Sequence, residues 1–400
     1  MIKAAVMGYG TIGSGVVEVL DINRELIAER AGEGIEVKYV LDIRDFSGDP
    51  IQDKIVHDYR VIADDPEIRI VVETMGGVEP AYTFVKAMLT AGKHVTTSNK
   101  ALVAEKGAEL LALAAEKNVN FMFEASVGGG IPVIRTLLSA LTADEIEEIT
   151  GILNGTTNYM MTKMSREGLE FADVLRDAQE RGYAERDPSA DIEGYDACRK
   201  IAILTSLVCG RQVDFTDIHT EGITKISAAD MKYAKKMGRA IKLLAVSRKT
   251  PEGYAVFVAP HLLSPEHPLY GVADVFNAVF VHGNVLGDAM FYGSGAGKLP
   301  TASAVVADMV GLARHMDCNI PVEWKPEKIT LAEFDRLENA FFVRTASGRD
   351  AVEAAFGRAD YVDAGIEGET GFVTSVMTEA EFKAKAAALD VRSVIRLGNR

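Results

Sequence analysis

The chain is poor in cysteine, in positive charge and in long apolar runs. Cys198, Cys209 and Cys318 are its only cysteines, and no two of them form a CxxC pair. That excludes a disulfide framework and a zinc knuckle, and thiols this sparse fit a reducing cytoplasm. Lys plus Arg number 43 against 58 Asp plus Glu, a formal net charge of −15. An acid excess of this size argues against nucleic acid or an anionic membrane surface as a partner. The longest apolar runs, such as 201–209, fall far short of the roughly 18 residues that a membrane span needs. The opening residues carry a short apolar core ending in glycine, with no small-residue cleavage site, and do not read as a secretion signal. There is no internal repeat and no low-complexity tract.

What is present is an ordinary globular composition, 48% apolar and 25% charged over 400 residues, a length that predicts two or three domains at roughly 100–200 residues each. Ile2–Met7 reads as a short buried strand, followed by a glycine turn at 8–13. Ile12, Val16, Val19, Leu20 and Ile27 then recur at the spacing of a helix burying one face. Strands at Ile35–Leu41, 68–72, 95–98 and 120–124 alternate with helices at 81–91 and 107–117. This alternation predicts a parallel sheet with crossover helices. After 128–132 the texture changes. A strand at 147–154 precedes a helical stretch at 168–209, interrupted by a polar loop at 181–189. Antiparallel strands follow at 254–259 and 278–282, and Pro300 opens a helix at 301–316. Lys232, Lys235, Lys236, Arg239 and Lys242 stand at helical spacing and predict a solvated helix face opposite Met237, Ile241 and Leu244. Pro321, Trp324 and Pro326 mark a linker. The remainder reads as strand 340–345, helix 351–357, two strands within 361–378, helix 379–389 and strand 393–397. The fold class is α/β: a Rossmann-type parallel sheet at 1–132, to which helix 300–316 returns, an α+β substrate domain at 133–320, and a small βαββαβ domain at 330–400.

The chemistry begins at Gly8-Tyr9-Gly10-Thr11-Ile12-Gly13, set between strand and helix. In a GxGxxG turn the first glycine allows the tight bend, the second lets backbone approach a pyrophosphate, and the third lets helix and strand pack closely. Asp42 stands where an acidic residue would bind the adenosine ribose and favour NAD, while Arg44 stands where a cation would hold the 2′-phosphate of NADP. The sequence offers both. Glycines at 76–77 and 128–130 also follow strands, at the sheet edge where open α/β folds bind ligands. The run Gly293-Ser294-Gly295-Ala296-Gly297-Lys298 fails the phosphate-loop pattern, because Tyr292 and Leu299 flank it, which argues against an ATPase. Between Glu185 and Lys200 carboxylates crowd together with a lysine. Asp196 and Lys200, four apart, share a helix face; alone, such a pair is most often a surface ion pair. The approach loop changes that reading, since Glu185 and Asp191 stand where they meet a substrate ammonium while Lys200 reaches its carbonyl as acid or base.

Seven segments, in order, resemble homoserine dehydrogenases: GYGTIG (8–13), VVETMGG (71–77), TTSNKALVA (96–104), EASVGGGIP (124–132), GILNGTTNY (151–159), YAERDPSADIEGYDACRK (183–200) and GSGAGKLPTASAVVADM (293–309). The resemblance implies NAD(P)H-dependent, reversible reduction of L-aspartate 4-semialdehyde to L-homoserine. It implies that Gly8, Gly10, Thr11, Ile12 and Gly13 hold the cofactor diphosphate, with Thr74, Met75, Gly76 and Gly297 closing over nicotinamide and ribose. Lys100 matches the lysine that contacts cofactor and substrate, Lys200 the general acid/base, Glu185 the substrate-binding glutamate, and Asp196 an aspartate that positions substrate and lysine. Asn154, Gly155 and Thr156 stand at a strand end to bind the substrate carboxylate. The Glu124 side chain and the carbonyls of Val127, Gly129 and Ile131 match a monovalent-cation site, usually sodium, whose oxygen donors suit a hard cation; otherwise Glu124 only caps backbone N–H groups. Family members are commonly homodimers or homotetramers built through the substrate domain, and many carry a C-terminal ACT domain. Here the expected Asp-x-x-Gly-Val-Leu turn is replaced by Ala346-Ser347-Gly348-Arg349-Asp350-Ala351-Val352, so the tail is expected to be ACT-like with a structural or oligomeric role. Two other readings stand beside this one: a dehydrogenase of the same architecture acting on another small amino or hydroxy acid, and a non-catalytic NAD(P) sensor.

Overall fold

The computed structural model describes residues 1–398, which divide into two units. The first comprises 1–143, 202–215 and 293–329; the second comprises 144–201, 216–292 and, among the described residues, 330–398. The first unit is built on β1 (Ile2–Met7), β2 (Ile35–Leu41), β3 (Ile55–Val56), β4 (Ile68–Glu73), β5 (His94–Thr97) and β6 (Phe121–Met122). All six are parallel, in the order β3-β2-β1-β4-β5-β6. Parallel neighbours need crossovers, supplied by α1 (Thr11–Ile22), α2 (Arg24–Ala31), α3 (Tyr59–Asp64), α4 (Ala81–Thr90) and α5 (Lys100–Glu116). Ala4, Val6, Ile70 and Val72 are fully buried in its core. Two helices differ from the sequence reading. The single helix expected through Ile27 is broken at Asn23, which closes α1 and precedes α2. The helix expected from 107 starts at Lys100, because the Asn99 side chain accepts from Leu102 N and caps it.

In the second unit β7 (Ile146–Ile152) leads into α6 (Gly155–Glu167), α7 (Phe171–Glu180), α8 (Ser189–Ile192) and the start of α9 (Tyr195–Cys209), whose residues from 202 on belong to the first unit. α6 falls where no helix was expected; its N-cap is Asn154, which accepts from Thr157 N. After β8 (Arg211–Gln212) in the first unit come β9 (His219–Thr220), α10 (Ala228–Lys236), β10 (Ala240–Thr250), β11 (Gly253–Leu263), β12 (Phe276–Gly283) and β13 (Gly287–Ser294). The basic helix face expected across 232–244 is formed only by Lys232, Lys235 and Lys236, which are exposed on α10. A Ser227–Asp230 capping box starts α10, but the helix closes at Met237, and Arg239 stands just ahead of β10. Ile241, Lys242 and Leu244 lie on that strand, and Lys242 is buried. The 3.6-residue spacing ran by coincidence across a helix, a turn and a strand.

The chain then returns to the first unit with α11 (Lys298–Arg314) and β14 (Lys325–Lys328), which pairs with β8. It ends in the second unit: β15 (Glu338–Asn339), β16 (Phe341–Thr345), α12 (Arg349–Phe356), β17 (Asp360–Val362), β18 (Thr370–Val373), β19 (Met377–Thr378), α13 (Glu379–Ala386) and β20 (Val391–Gly398). Four of these strands lie side by side as β20-β16-β18-β17 and are not a separate sheet. β20 pairs in parallel with β11, so one sheet runs β13-β12-β7-β10-β11-β20-β16-β18-β17, with β9 beside β11. Phe341, Val343, Phe356, Phe372 and Phe382 pack the C-terminal helices onto it. No helix among the described residues is long and apolar enough to cross a membrane.

Candidate functional site

In the first unit the turn between β1 and α1 has the form a dinucleotide requires. A Cβ on Gly13 would lie 1.9 Å from the Gly8 carbonyl oxygen, so only glycine lets α1 cross the strand this closely. At Gly10 a Cβ would meet nothing within 4 Å. That open space lies at the start of a twelve-residue helix with no side-chain cap, where the leading backbone N–H groups suit an anion. Thr74 Oγ1 donates to the Gly8 carbonyl at 2.9 Å and ties the loop after β4 to the turn.

Asp42, just beyond β2, accepts from Tyr9 N at 2.8 Å, and from Arg44 N, Nε and Nη2 at 3.0 Å each. The Arg44 hydrogen bond dominates and, against the effect of burial, holds the Asp42 carboxyl down at about 2. The guanidinium lies 5.0 Å from the Phe46 ring centre and is 57% exposed. Lys100 is half-buried as the first residue of α5, next to Asn99, whose Nδ2 donates to the Gly77 carbonyl at 2.6 Å.

The glycine loop at 128–130 lies against the segment ahead of α11, Gly130 N donating to Ser294 O at 3.0 Å. Gly297, at φ +119°, is the N-cap of that helix. Glu124 is buried, and its two oxygens accept from Ile134 N at 2.9 Å and Arg135 N at 2.6 Å. Burial, and then Asp308 nearby, push its carboxyl up to about 7. Glu124 thus caps two backbone N–H groups. A carboxylate offers about four lone-pair sites, so capping leaves oxygen capacity for a cation. Val127 and Ile131 are buried in the same loop as Gly129.

In the second unit Asn154, Asp191, Asp196 and Lys200 come together. Asn154 Nδ2 donates to Asp191 Oδ1 at 2.7 Å and to Asp196 Oδ2 at 2.9 Å. Lys200 Nζ donates to the Leu153 carbonyl at 2.7 Å and pairs with Asp196 Oδ2 at 2.8 Å. The two side chains are 10% and 4% exposed, so this is no solvated surface pair. Helix α9 sets Asp196 and Lys200 one turn apart on a common face, while the end of β7 brings Leu153 and Asn154 against them. Thr156 Oγ1 donates to Tyr183 O at 2.7 Å. Glu185 is exposed on the approach loop, its carbonyl accepting from Gln179 Nε2 at 3.0 Å.

Two family models match the chain: homoserine dehydrogenase over residues 132–310, and homoserine dehydrogenase, NAD binding domain, over residues 8–124. A homoserine dehydrogenase of Pseudomonas aeruginosa is 41% identical over 356 residues, 86% of this chain and 81% of that protein. The chain belongs to the homoserine dehydrogenase family. It is an NAD(P)-dependent oxidoreductase. The crystal structure of a homoserine dehydrogenase from Thiobacillus denitrificans matches at a TM-score of 0.92 and 34% identity, covering 100% of this chain and 98% of that one. A hyperthermophilic archaeal homoserine dehydrogenase mutant, in complex with NADPH, matches at 0.67 and 28% identity, over 78% and 97% of the two chains.

Two polar residues of the chain escaped the sequence reading. Glu73, fully buried at the end of β4, accepts from Met75 N at 2.7 Å and from Thr97 Oγ1 at 2.5 Å, so it shapes the loop beside the nucleotide turn. Burial raises its pKa against those hydrogen bonds. Asp308, inside α11, accepts from Thr96 Oγ1 and Glu124 N, both at 3.0 Å, and from Arg135 Nη2 at 2.6 Å. The available signal was a lone carboxylate in an apolar stretch: VVE for Glu73, AVVADM for Asp308.

Proposed function

We propose that Lys200 is the proton donor in the reversible reduction of L-aspartate 4-semialdehyde to L-homoserine. The observation that carries this reading is the setting of its ammonium group. Of the three Nζ donors, one is fixed by Leu153 O and one by Asp196, which leaves one for an incoming oxygen. Bound NAD(P)H supplies the hydride to the aldehyde carbon. As negative charge grows on the aldehyde oxygen, Lys200 stabilises it and passes it a proton; in the oxidation direction the same nitrogen accepts the hydroxyl proton. Lys100 adds positive charge on the cofactor side. Glu185 and Asp191 take the substrate ammonium, and Asp196 orients Lys200. Because Asn154 and Thr156 already spend their side-chain donors on Asp191, Asp196 and Tyr183, the substrate carboxylate falls to the backbone N–H groups at Gly155 and Thr156, where α6 begins.

Gly8, Gly10, Thr11, Ile12 and Gly13 hold the diphosphate, with Thr74, Met75, Gly76 and Gly297 over nicotinamide and ribose; the open space at Gly10 supports this. Asp42 and Arg44 receive the adenosine ribose or its 2′-phosphate. A sodium ion would be held by Glu124 and the carbonyls of Val127, Gly129 and Ile131, where it would offset buried negative charge and fix the loop. The reaction places the chain in threonine and methionine biosynthesis in the cytoplasm. Homodimers or homotetramers are supported by the exposed apolar side chains of edge strand β13 and the turn before it, Val285, Leu286, Met290 and Tyr292.

The test is steady-state oxidation of L-homoserine and related amino and hydroxy acids, with NAD and NADP in parallel and with and without sodium and threonine. Homoserine should be the preferred substrate. Lys200→Ala should lower kcat by on the order of 10²–10⁴ and leave cofactor KM nearly unchanged; full turnover in that variant would remove Lys200 from the chemistry. Glu185→Ala should raise homoserine KM, and an unchanged value would count against its ammonium role.

A further inference from the structure

Arg396, on the C-terminal strand β20, is 4% exposed and grips two carboxylates. It donates from Nε and Nη2 to Glu379 at 2.6 and 2.9 Å, and from Nη1 and Nη2 to Glu221 at 3.0 and 2.7 Å. Glu379, the first residue of α13, is itself buried and accepts from Asn339 Nδ2 at 2.9 Å. On the other flank His219 Nε2 lies 2.7 Å from Glu221 Oε1, its ring stacked on Phe334 at a centroid distance of 3.6 Å. Burial works to raise the Glu221 carboxyl, but the hydrogen bonds from His219 and Arg396 outweigh it and hold it at about 2.

The backbone that follows Glu221 is the floor beneath the Asp191–Lys200 segment. Ile223 N donates to Ile192 O at 2.8 Å. A Cβ on Gly222 would lie 2.0 Å from that same carbonyl oxygen and 2.5 Å from Glu193 Cα. From the opposite side a Cβ on Gly194, at φ +84°, would lie 3.1 Å from the Thr220 methyl, 3.3 Å from Val258 Cγ1 and 3.4 Å from the Glu221 carbonyl oxygen. Gly194 O in turn accepts from Cys198 N in the first turn of α9, between Asp196 and Lys200. The two backbones therefore fit together with no slack, and whatever fixes Glu221 fixes the entry to α9.

We propose that Arg396, clamped between Glu379 and Glu221, is a positioning residue for the dehydrogenase reaction: through Glu221–Ile223 it sets the backbone of Ile192–Gly194, and hence where Asp191, Asp196 and Lys200 present their groups to substrate. The proposal rests on the assignment of those residues to the substrate site. It also gives the C-terminal segment a task in turnover that needs no effector. A buried ionic cluster adds little stability over apolar residues of the same volume, but it fixes geometry, because each of its hydrogen bonds is directional. Misplacement of catalytic groups by about 1 Å from a distant change costs on the order of 10²-fold.

The test uses the full chain with Arg396→Met, Arg396→Lys, Glu221→Gln and Gly222→Ala, read by kcat and KM for homoserine, cofactor KM, and hydrogen exchange of peptides covering 185–200. Arg396→Met and Glu221→Gln should each lower kcat/KM for homoserine by about 10- to 100-fold, hold cofactor KM within about twofold, and speed exchange at 192–198. The double variant should be no worse than the worse single one, since both break one clamp. Gly222→Ala displaces the floor without touching a charge and should reproduce the signature. Arg396→Lys keeps the charge and most of the packing, so it folds where Arg396→Met does not, and it should still lose part of kcat/KM because lysine cannot bridge two carboxylates bidentately. Wild-type kinetics and exchange in folded Arg396→Lys and Glu221→Gln overturn the proposal, as does a double variant whose losses multiply. Lys200→Ala separates the two claims: near-full activity there sinks the site assignment, whereas an inactive Lys200→Ala beside unchanged clamp variants sinks only the clamp.

Discussion

Arg44 is engaged by Asp42 through two side-chain hydrogen bonds and sits over Phe46, and on the proposed cofactor assignment this pairing bears on the choice between NAD and NADP. With its oxygens turned to Arg44 and to Tyr9 N, Asp42 is poorly disposed to accept from ribose hydroxyls, while a 2′-phosphate would draw the exposed guanidinium to itself. Arg44→Ala should therefore raise KM for NADP by about 10- to 100-fold, the worth of a hydrogen bond between charged groups, and leave KM for NAD unchanged or lower. Equal effects on both would remove Arg44 from cofactor choice. Lys242 is a second residue with a measurable consequence. It donates to Asn158 Oδ1 at 3.1 Å and to the Val272 carbonyl, and burial lowers its pKa from 10.5 to about 8. Between those two values the unfolded chain holds a proton that the folded chain has released, so this group's contribution to stability rises with pH across the window. The melting temperature of the wild type relative to Lys242→Met should thus climb between pH 8 and about 10; a flat difference would mean that the buried ammonium carries no penalty.

Among the elements, those with a local cause were legible and those with a distant one were not. The glycine turn, its flanking strand and α1 could be read because Gly8, Gly10 and Gly13 have meaning only between a strand and a helix. Gly13→Ala should test that meaning: with 1.9 Å to the Gly8 carbonyl, α1 must shift, and NADPH affinity measured by fluorescence titration should fall at least about tenfold. The Asp196–Lys200 spacing was legible too, but not its burial, which comes from Leu153 and Asn154 far away in sequence. α6 was missed because GTTNYMMTKMSRE is rich in polar and β-branched residues of middling helix propensity; its one clear signal was the N-cap, Asn154. β10 was misread because charge spacing was followed through Met237, where α10 ends. The strand–helix order of the C-terminal segment was legible from its period, whereas its union with β11 was not, since alternation says nothing about which edge a strand will join.

On the scale of the whole molecule, the chain order does not map onto contiguous units. The first unit takes up 202–215 and 293–329 as well as 1–143, returns that no local pattern announces. The net charge of −15 likewise averages over distinct settings, for Lys200, Lys242, Arg344 and Arg396 are all buried. Arg344 pairs with Asp230 and Glu369 at 2.9 Å, a second ionic link between the C-terminal strands and the body of the second unit. Removing residues 330–400 should therefore not yield a trimmed, active enzyme. It would bare the β11 edge and leave Glu221 and Asp230 without their cations, and the truncated chain should aggregate on expression. A soluble, fully active truncation would show the segment to be dispensable.

That β11 edge has a kinetic side as well. His261 and Leu262 are joined to Arg396 and Leu397, partners from distant parts of the chain, and loops of that length close slowly. Until they close, β11 offers an unsatisfied row of amides and carbonyls to any neighbouring molecule. Refolding yield is thus expected to depend steeply on protein concentration, and the seam between β11 and β20 is where competition between folding and self-association is decided.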